Sequence, residues 1–194
     1  MNVTLEGIKI GYAMCGSFCT FLKAIEQLER LKGQGAVITP IMSFNAASLD
    51  TRFGTAEHFR NTLEEITGRK LICTIEAAEP IGPQKMFDVL AVCPCTGNTL
   101  AKLAAGIIDT PVTMAVKSHI RNDRPVVIAP STNDGLAGCA KNIGTLLNYR
   151  NFYFVPFGQD DSAHKPRSLV SDFNELPETI LAALDGQQYQ PIII

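Results

Sequence analysis

A strand-like segment that opens through a polar turn into a helix constrains the fold of this chain more than any other feature. Residues 89–93 form an apolar run that predicts a buried parallel strand, and Pro94 is expected to end it. Residues 95–99 then offer hydroxyls, an amide and a glycine before an apolar-periodic helix through Leu100 and Ile107. The carboxyl end of such a strand, at a helix N-terminus, is where α/β proteins bind anionic ligands.

Strand-like and helix-like segments alternate along the chain, which predicts βαβ units and a mainly parallel α/β sheet of about six strands. The predicted strands cover residues 8–13, 36–42, 70–75, 89–93, 125–129 and 152–156. Further predicted helices cover residues 18–31, 55–67, 110–120 and 172–184, with Thr55 and Thr110 as N-caps. Residues 43–54, 79–83 and 157–166 are expected to be loops. The apolar tail 190–194 is expected to dock on an apolar surface, and another subunit is a candidate for it.

Composition excludes several classes of function. A length of 194 residues predicts a single domain, 1–194, and a net charge of −2 gives no basic footprint for nucleic acid. No apolar run approaches the roughly 20 residues of a membrane span, and no signal peptide is recognisable, so a cytoplasmic protein is expected. Neither the six cysteines nor the three histidines have metal-ligand spacing. The cysteines are interpreted as small buried residues, with ligand contact by Cys15 and Cys95 as the alternative.

Four polar turns follow predicted strands, and the turns of a doubly wound sheet meet along its carboxyl edge. Their candidate cofactor-binding residues are Gly16, Ser17, Ser43, Asn45, Pro94, Thr96, Gly97, Asn98, Thr99, Ser131 and Thr132. Backbone amides and hydroxyls with little cationic charge suit a phosphate beside a flat, neutral ring. The spacing from Gly11 to Ser17 fits neither a dinucleotide fingerprint nor a P-loop, which disfavours a conventional NAD or nucleoside triphosphate site.

A dicarboxylate ligand at this edge would need at least one cation, because arginine binds carboxylates bidentately. Arg52 and Lys117 are the candidate cations near the predicted turns, and Asn133 is the candidate amide contact to the substrate or the ring. The charged residues within 160–165 are interpreted as a solvated or lid loop rather than a metal site.

The turns resemble those of the flavoprotein superfamily, which includes the homo-oligomeric flavin-containing cysteine decarboxylases and the flavin prenyltransferases. The resemblance lies in Gly16-Ser17, in residues 94–99 with Lys102 and Asp109, and in residues 129–133. Longer runs are most similar to the flavoprotein-like subunits of bacterial dipicolinate synthases. These runs are residues 50–54, 78–83, 94–102, 109–115, 131–135, 155–161 and 165–168.

The resemblance implies a three-layer, Rossmann-like sandwich of the flavodoxin type, with FMN at the strand ends and assembly into a homo-oligomer, a trimer or a multiple of one. It also implies oxidation of dihydrodipicolinate to pyridine-2,6-dicarboxylate for spore formation, together with the separate, dehydrogenase-like A subunit of dipicolinate synthase. The alternatives are a non-catalytic partner of the A subunit that binds flavin or phosphate, and an FMN-dependent decarboxylase or prenyltransferase.

Two departures from the decarboxylases bear on these alternatives. The decarboxylases carry Pro-x-Met-Asn-x-x-Met where residues 130–136 read Pro-Ser-Thr-Asn-Asp-Gly-Leu, so Asn133 is kept and both methionines are absent. They also carry an active-site histidine after the second strand, for which His58 is the candidate here. The missing methionines argue against cysteine decarboxylation.

Overall fold

A computed structural model describes residues 4–194 of the chain and confirms the α/β class, while the single-domain expectation stays a prediction. The strands in this part of the chain are β1 (Lys9–Met14), β2 (Val37–Met42), β3 (Val89–Cys95), β4 (Val126–Thr132), β5 (Phe152–Phe154), β6 (Phe157–Asp161) and β7 (Lys165–Ser171). The α-helices are α1 (Phe21–Gly33), α2 (Phe44–Ser48), α3 (Ala56–Thr67), α4 (Ile75–Ala78), α5 (Gly97–Ala105), α6 (Pro111–Ile120), α7 (Ala140–Leu147) and α8 (Leu176–Leu184).

Five strands of the sheet are parallel and pair in the order β2-β1-β3-β4-β5. This is the flavodoxin-type order, in which the direction of winding reverses between β1 and β3. The strands β6 and β7 form an antiparallel hairpin, and β7 pairs with the end of β4 at Ser131 and Thr132. A ligand crevice is therefore expected at the carboxyl ends of β1 and β3, with the hairpin beside it.

Helices cover both faces of the sheet and give the three layers. Side chains of α1, α3 and α8 form one core with Tyr12 of β1, and side chains of α5, α6 and α7 form the other core with Ala13. Successive residues of β1 point to opposite faces, as the period of a strand requires. Among residues 4–194, none of the helices combines the length and the apolar character that a membrane span requires.

The prediction that Pro94 ends its strand is wrong, because β3 continues to Cys95. Val92 pairs with Ile128 and Cys95 pairs with Pro130, so β3 contains one extra residue at this point. A proline costs no ladder hydrogen bond at such a bulge. The Pro94 carbonyl instead accepts a hydrogen bond from the Cys15 amide at 3.1 Å and ties the turn after β1 to β3.

Four other local predictions are corrected by the structure. The expected loop 79–83 begins with a short 3₁₀ helix, Glu79–Ile81, in which Pro80 takes a position near the helix start. The predicted strand 70–75 is reduced to a single bridge between Ile41 and Ile72, and its last two residues belong instead to the start of α4, whose N-cap is Thr74. The expected loop 43–54 contains α2, whose N-cap is Ser43. The expected loop 157–166 belongs to the β6–β7 hairpin, where main-chain pairing builds strands from polar residues.

Local signals at helix starts and at the tail are confirmed. Thr55 caps α3 and accepts a hydrogen bond from the His58 amide, and Thr110 forms a capping box at the start of α6. The apolar tail docks on this chain itself, since the Phe157 amide donates to the Ile192 carbonyl at 3.0 Å and the Ile194 amide donates to the Phe157 carbonyl at 3.2 Å.

The buried His119 of α6 makes stability depend on pH. Its side chain is 1% exposed, and its Nε2 atom donates to the Pro125 carbonyl at 3.0 Å. Burial, helped by the charge of Arg124, lowers the pKa of His119 from the ordinary value of 6.5 to about 4. As the pH falls, His119 is therefore protonated in the unfolded chain before it is protonated in the folded protein. The contribution of neutral His119 to the free energy of unfolding is complete above pH 6.5 and is lost as the pH falls towards 4.

We expect His119→Gln to remove this pH dependence, because glutamine keeps a donor for the Pro125 carbonyl but does not titrate. Between pH 7.5 and 4.5 the unfolding free energy of the parent should fall by about 2–3 kcal/mol more than that of the variant. Urea denaturation of both proteins at the two pH values measures this difference. An identical fall in the two proteins would show that His119 is not the responsible group.

Candidate functional site

Two neighbouring cavities open at the carboxyl edge of the sheet. The first, which we name the cationic cavity, has a volume of about 570 Å³ and is lined by Lys23, Arg52 and Lys165 among others. The second, the hydroxyl cavity, has a volume of about 460 Å³ and is lined by several hydroxyl and amide side chains. Gly16 and Thr96 line both cavities, so the two meet at the switch point between β1 and β3.

Most of the residues predicted from the sequence line these cavities. The cationic cavity contains Gly16, Ser17, Arg52, Thr96, Gly97, Ser131, Thr132 and Asn133. The hydroxyl cavity contains Gly16, Ser43, Asn45, Thr96, Asn98 and Thr99. The four predicted turns are thus brought together along one sheet edge.

Three predicted residues lie outside both cavities. Pro94 is buried within β3, where its carbonyl holds the Cys15 amide. His58 is exposed on α3, and its ring lies 5.4 Å from that of Phe59. Lys117 lies in the last turn of α6 and lines a separate, apolar cavity. The structure therefore does not bring His58 or Lys117 to the site.

Side-chain hydrogen bonds connect the turns around the cationic cavity. The hydroxyls of Ser17 and Ser131 are 2.8 Å apart and join the turn after β1 to the end of β4. The Thr132 hydroxyl accepts from the Asp134 amide at 3.2 Å. The Ser168 hydroxyl of β7 donates to the Asn133 side-chain oxygen at 3.4 Å, which leaves the amide N–H groups of Asn133 as donors.

The hydroxyl cavity is built around the start of α5. The Thr96 hydroxyl caps this helix and accepts from the Thr99 amide at 3.4 Å. The amides of Gly97 and Asn98, the two residues before Thr99, have no partner within the helix. Asn98 lines the hydroxyl cavity, and Gly97 lines the cationic cavity beside it. These donors and the positive end of the helix dipole can hold a phosphate without a cation.

The charges of the hydroxyl cavity are balanced. Lys102 Nζ lies 2.6 Å from one carboxylate oxygen of Asp109 and 2.7 Å from the other. Because both partners line the cavity, their charges cancel there. Its affinity for an anion must therefore come from amides and hydroxyls.

The cationic cavity differs sharply in charge. Lys23 comes from α1, Arg52 from the turn before α3, and Lys165 from β7. The lining carboxylate of Asp160 lies 2.8 Å from Lys165 Nζ, and this contact raises the pKa of Lys165 and keeps it charged. Among residues 4–194, the three lining cations and this carboxylate leave two net positive charges.

This charge corrects the expectation of little cationic charge at the strand ends. Sequence reasoning missed Lys23, Asp160, Lys165 and Ser168 as lining residues. The available signal was the resemblance in residues 155–161 and 165–168, which continues through the segment interpreted as a solvated or lid loop. The structure places this segment at the largely exposed tip of the β6–β7 hairpin, and β7 pairs with β4 only further along, at Leu169 and Val170.

Two buried thiols connect the strands beneath the cavities. Cys15 is 1% exposed and Cys95 is 0% exposed, and neither lines the cationic or the hydroxyl cavity. The hydrogen bond from Cys95, assisted by the one that the Thr99 hydroxyl donates at 3.2 Å, lowers the pKa of the Cys15 thiol against the effect of burial. Burial raises the pKa of Cys95.

Known proteins share this arrangement of strands and turns. The sequence profile of the Flavoprotein family matches residues 1–156. The B subunit of dipicolinate synthase from Bacillus subtilis (strain 168) is 43% identical over 191 residues, which cover 98% of this chain and 96% of that protein. The crystal structure of the dipicolinate synthase B subunit from Bacillus halodurans superposes with a TM-score of 0.90 at 41% identity, over 98% of each chain.

A more distant structure shares the fold. The FMN-dependent cysteine decarboxylase SpaF superposes with a TM-score of 0.69 at 24% identity, over 93% of this chain and 99% of that one. The fold, the position of the two cavities and the matched profile lead to one conclusion. This chain belongs to the flavoprotein family, and it is similar over nearly its whole length to the B subunits of dipicolinate synthases.

Proposed function

We propose that this chain is the flavoprotein-like subunit of a dipicolinate synthase and works with a separate A subunit. The proposed reaction is the oxidation of dihydrodipicolinate to pyridine-2,6-dicarboxylate. The observation that carries the proposal is a cavity with two net positive charges, which suits a dianionic ring. The identity of 43% to the B subunit of a dipicolinate synthase supports the role of this chain in such an enzyme.

The donor chemistry of the site fits an FMN-type cofactor. Unpaired amides at the start of α5 and the hydroxyls of Ser43 and Thr96 can hold a phosphate in the hydroxyl cavity. The fold neighbour SpaF is FMN-dependent, which supports FMN as the flavin. A bound flavin would supply an acceptor for two electrons.

The chain's own residues would bind and orient the substrate. Dihydrodipicolinate must lose a hydride and a proton as its ring becomes aromatic. Arg52 would hold a carboxylate through its planar fork of N–H donors, and Asn133 would donate to the substrate or the ring. The walls formed by Phe18 and Phe53 would exclude water from one side of the ring.

A second candidate is a non-catalytic subunit that binds flavin or phosphate while the A subunit performs the oxidation with its own nicotinamide. One observation favours it: no histidine lines either cavity among the described residues, and Lys165 already engages the lining carboxylate Asp160. The two lining carboxylates that could accept the proton of the substrate, Asp109 and Asp160, are each paired with a lysine. A decarboxylase or prenyltransferase has less support, because Thr132 and Leu136 replace both methionines of the decarboxylase motif.

Assembly into a homo-oligomer, a trimer or a multiple of one, stays a prediction. Two exposed apolar side chains lie at or beside the cationic cavity. Phe53 is 41% exposed and lines the cavity, and Leu22 is 65% exposed and precedes the lining residue Lys23. Contact between subunits at this surface would cover both side chains.

We expect dipicolinate to form only when both subunits are present. Purified chain, purified A subunit, and their mixture are supplied with dihydrodipicolinate generated in place, with and without FMN and NADP, and dipicolinate absorbance is followed. A visible spectrum of the purified chain reports flavin binding separately. Full activity of this chain alone would make it a self-sufficient oxidase, and full activity of the A subunit, without this chain, would make this chain an accessory protein.

A further inference from the structure

We propose that Lys23, Arg52 and Lys165 form one recognition site for a planar dicarboxylate, in which Lys165 selects for the second carboxylate. This inference deepens the proposed function and rests on it for the identity of the substrate. Sequence reasoning assigned carboxylate binding to Arg52 and Lys117, but Lys117 lines a different cavity. The second carboxylate therefore needs another cation.

The three cations reach the cavity from separate parts of the chain. Lys23 lies in the first turn of α1, Arg52 lies in the turn before α3, and Lys165 begins β7. Cations that surround a cavity from several sides can contact two carboxylates of one rigid ligand at once. A single carboxylate needs fewer of these contacts, so the arrangement favours dianions over monoanions.

Lys165 is held in position by its neighbours. Asp160 accepts one hydrogen bond from Lys165 Nζ at 2.8 Å, which leaves two N–H donors of the ammonium group for a ligand. Further along the same strand, Leu169 and Val170 pair with Thr132 and Ser131 of β4. The strand that carries Lys165 is thus fixed to β4, and Asp160 is a positioning residue.

The remaining walls of the cavity suit a flat ring. Phe18, Phe53 and Val170 line it, and the Arg52 guanidinium lies 4.8 Å from the centre of the Phe53 ring. The phosphate of a flavin is also a dianion and could compete for the cationic cavity, but the amides and hydroxyls of the neutral hydroxyl cavity offer it a separate site. Charge and apolar walls together favour a ring dicarboxylate in the cationic cavity.

Calorimetric titration with pyridine-2,6-dicarboxylate and with pyridine-2-carboxylate tests the proposal. The parent should bind the dicarboxylate more tightly. Lys165→Gln should lower dicarboxylate affinity by about tenfold and monocarboxylate affinity by less than about twofold. Lys32→Gln, at the opposite end of α1 from Lys23, is the matched control and should change neither. An equal loss for both ligands, or none, would overturn the selective role of Lys165.

A thiol reagent locates the ligand. Cys19 is exposed and lines the cationic cavity. Comparison of the parent with a Cys19→Ser variant shows how much of the total thiol modification takes place at Cys19. Pyridine-2,6-dicarboxylate should slow modification of Cys19 in the parent, while inorganic phosphate and FMN at equal occupancy should slow it less. Equal protection by phosphate would assign the cavity to phosphate and overturn the dicarboxylate site.

The same variants separate this inference from the proposed function. If the two subunits together form dipicolinate while Lys165→Gln binds dicarboxylate like the parent, the inference fails and the function stands. If the mixture forms no dipicolinate but the selectivity depends on Lys165, the function fails and the recognition site stands. The FMN affinity of each variant, measured by titration and followed by the visible spectrum, should match that of the parent. Such a match would show that the neighbouring hydroxyl cavity is intact.

Discussion

Gly97→Val should lower flavin affinity by about a hundredfold, because it displaces the start of α5. A Cβ atom at Gly97 would lie 2.6 Å from Cys139 Sγ and 2.7 Å from Thr132 Oγ1. The Thr132 hydroxyl cannot turn away without losing its hydrogen bond from the Asp134 amide. The helix must shift instead, which misplaces the amides expected to hold the phosphate, and two lost charged hydrogen bonds account for this loss.

Flavin titration followed by the visible spectrum measures this effect, and urea denaturation should show a loss of about 1–3 kcal/mol from overpacking. Gly144→Ala is the matched control, because Gly144 also lies in a helix but a Cβ built on its backbone would have nothing within 4 Å. This control should gain about 0.5–1 kcal/mol and bind flavin like the parent. Parent-like flavin affinity in Gly97→Val would contradict the assignment of the α5 N-terminus.

The parallel part of the fold was predictable because its signals are local. Thr55 and Thr110 cap helices whose apolar periodicity is clear, and the apolar run at residues 89–93 forms the first five of the seven residues of β3. The hairpin of β6 and β7 was not predictable in the same way. Its strands contain charged residues, and their structure depends on pairing with the end of β4, which no local pattern records.

The site residues that lie in the turns after strands were predictable from the sequence, whereas the side chains that helices contribute to the site were less so. In a parallel α/β fold, helices run antiparallel to the strands, so their first turns lie near the carboxyl edge of the sheet. Lys23 is in the first turn of α1 and reaches the cationic cavity, whereas Lys117 is in the last turn of α6 and does not. Position within the helix was therefore a usable signal for choosing between these lysines.

Phe59→Ala should lower the free energy of unfolding by about 3–5 kcal/mol and also weaken dicarboxylate binding. Phe59 is 1% exposed, and its ring meets that of Phe21 edge-on at 4.9 Å and 80°. The Phe59 ring packs closely on Gly54, since a Cβ built there would lie 2.9 Å from the ring. Gly54 closes a turn in which its carbonyl accepts a hydrogen bond from the Thr51 amide at 3.0 Å, so the ring supports this turn. Arg52 lies within that turn, which joins the core to the cationic cavity.

Denaturant unfolding and calorimetry with pyridine-2,6-dicarboxylate measure the two consequences of the Phe59 substitution. Phe59→Leu fills most of the space, so it should cost less than about 1.5 kcal/mol and retain most of the affinity. If Phe59→Ala lost stability but bound the dicarboxylate like the parent at a temperature where both are folded, the turn would not depend on this ring. A parallel loss of stability and affinity, restored by leucine, would mean that core packing positions Arg52 for its ligand.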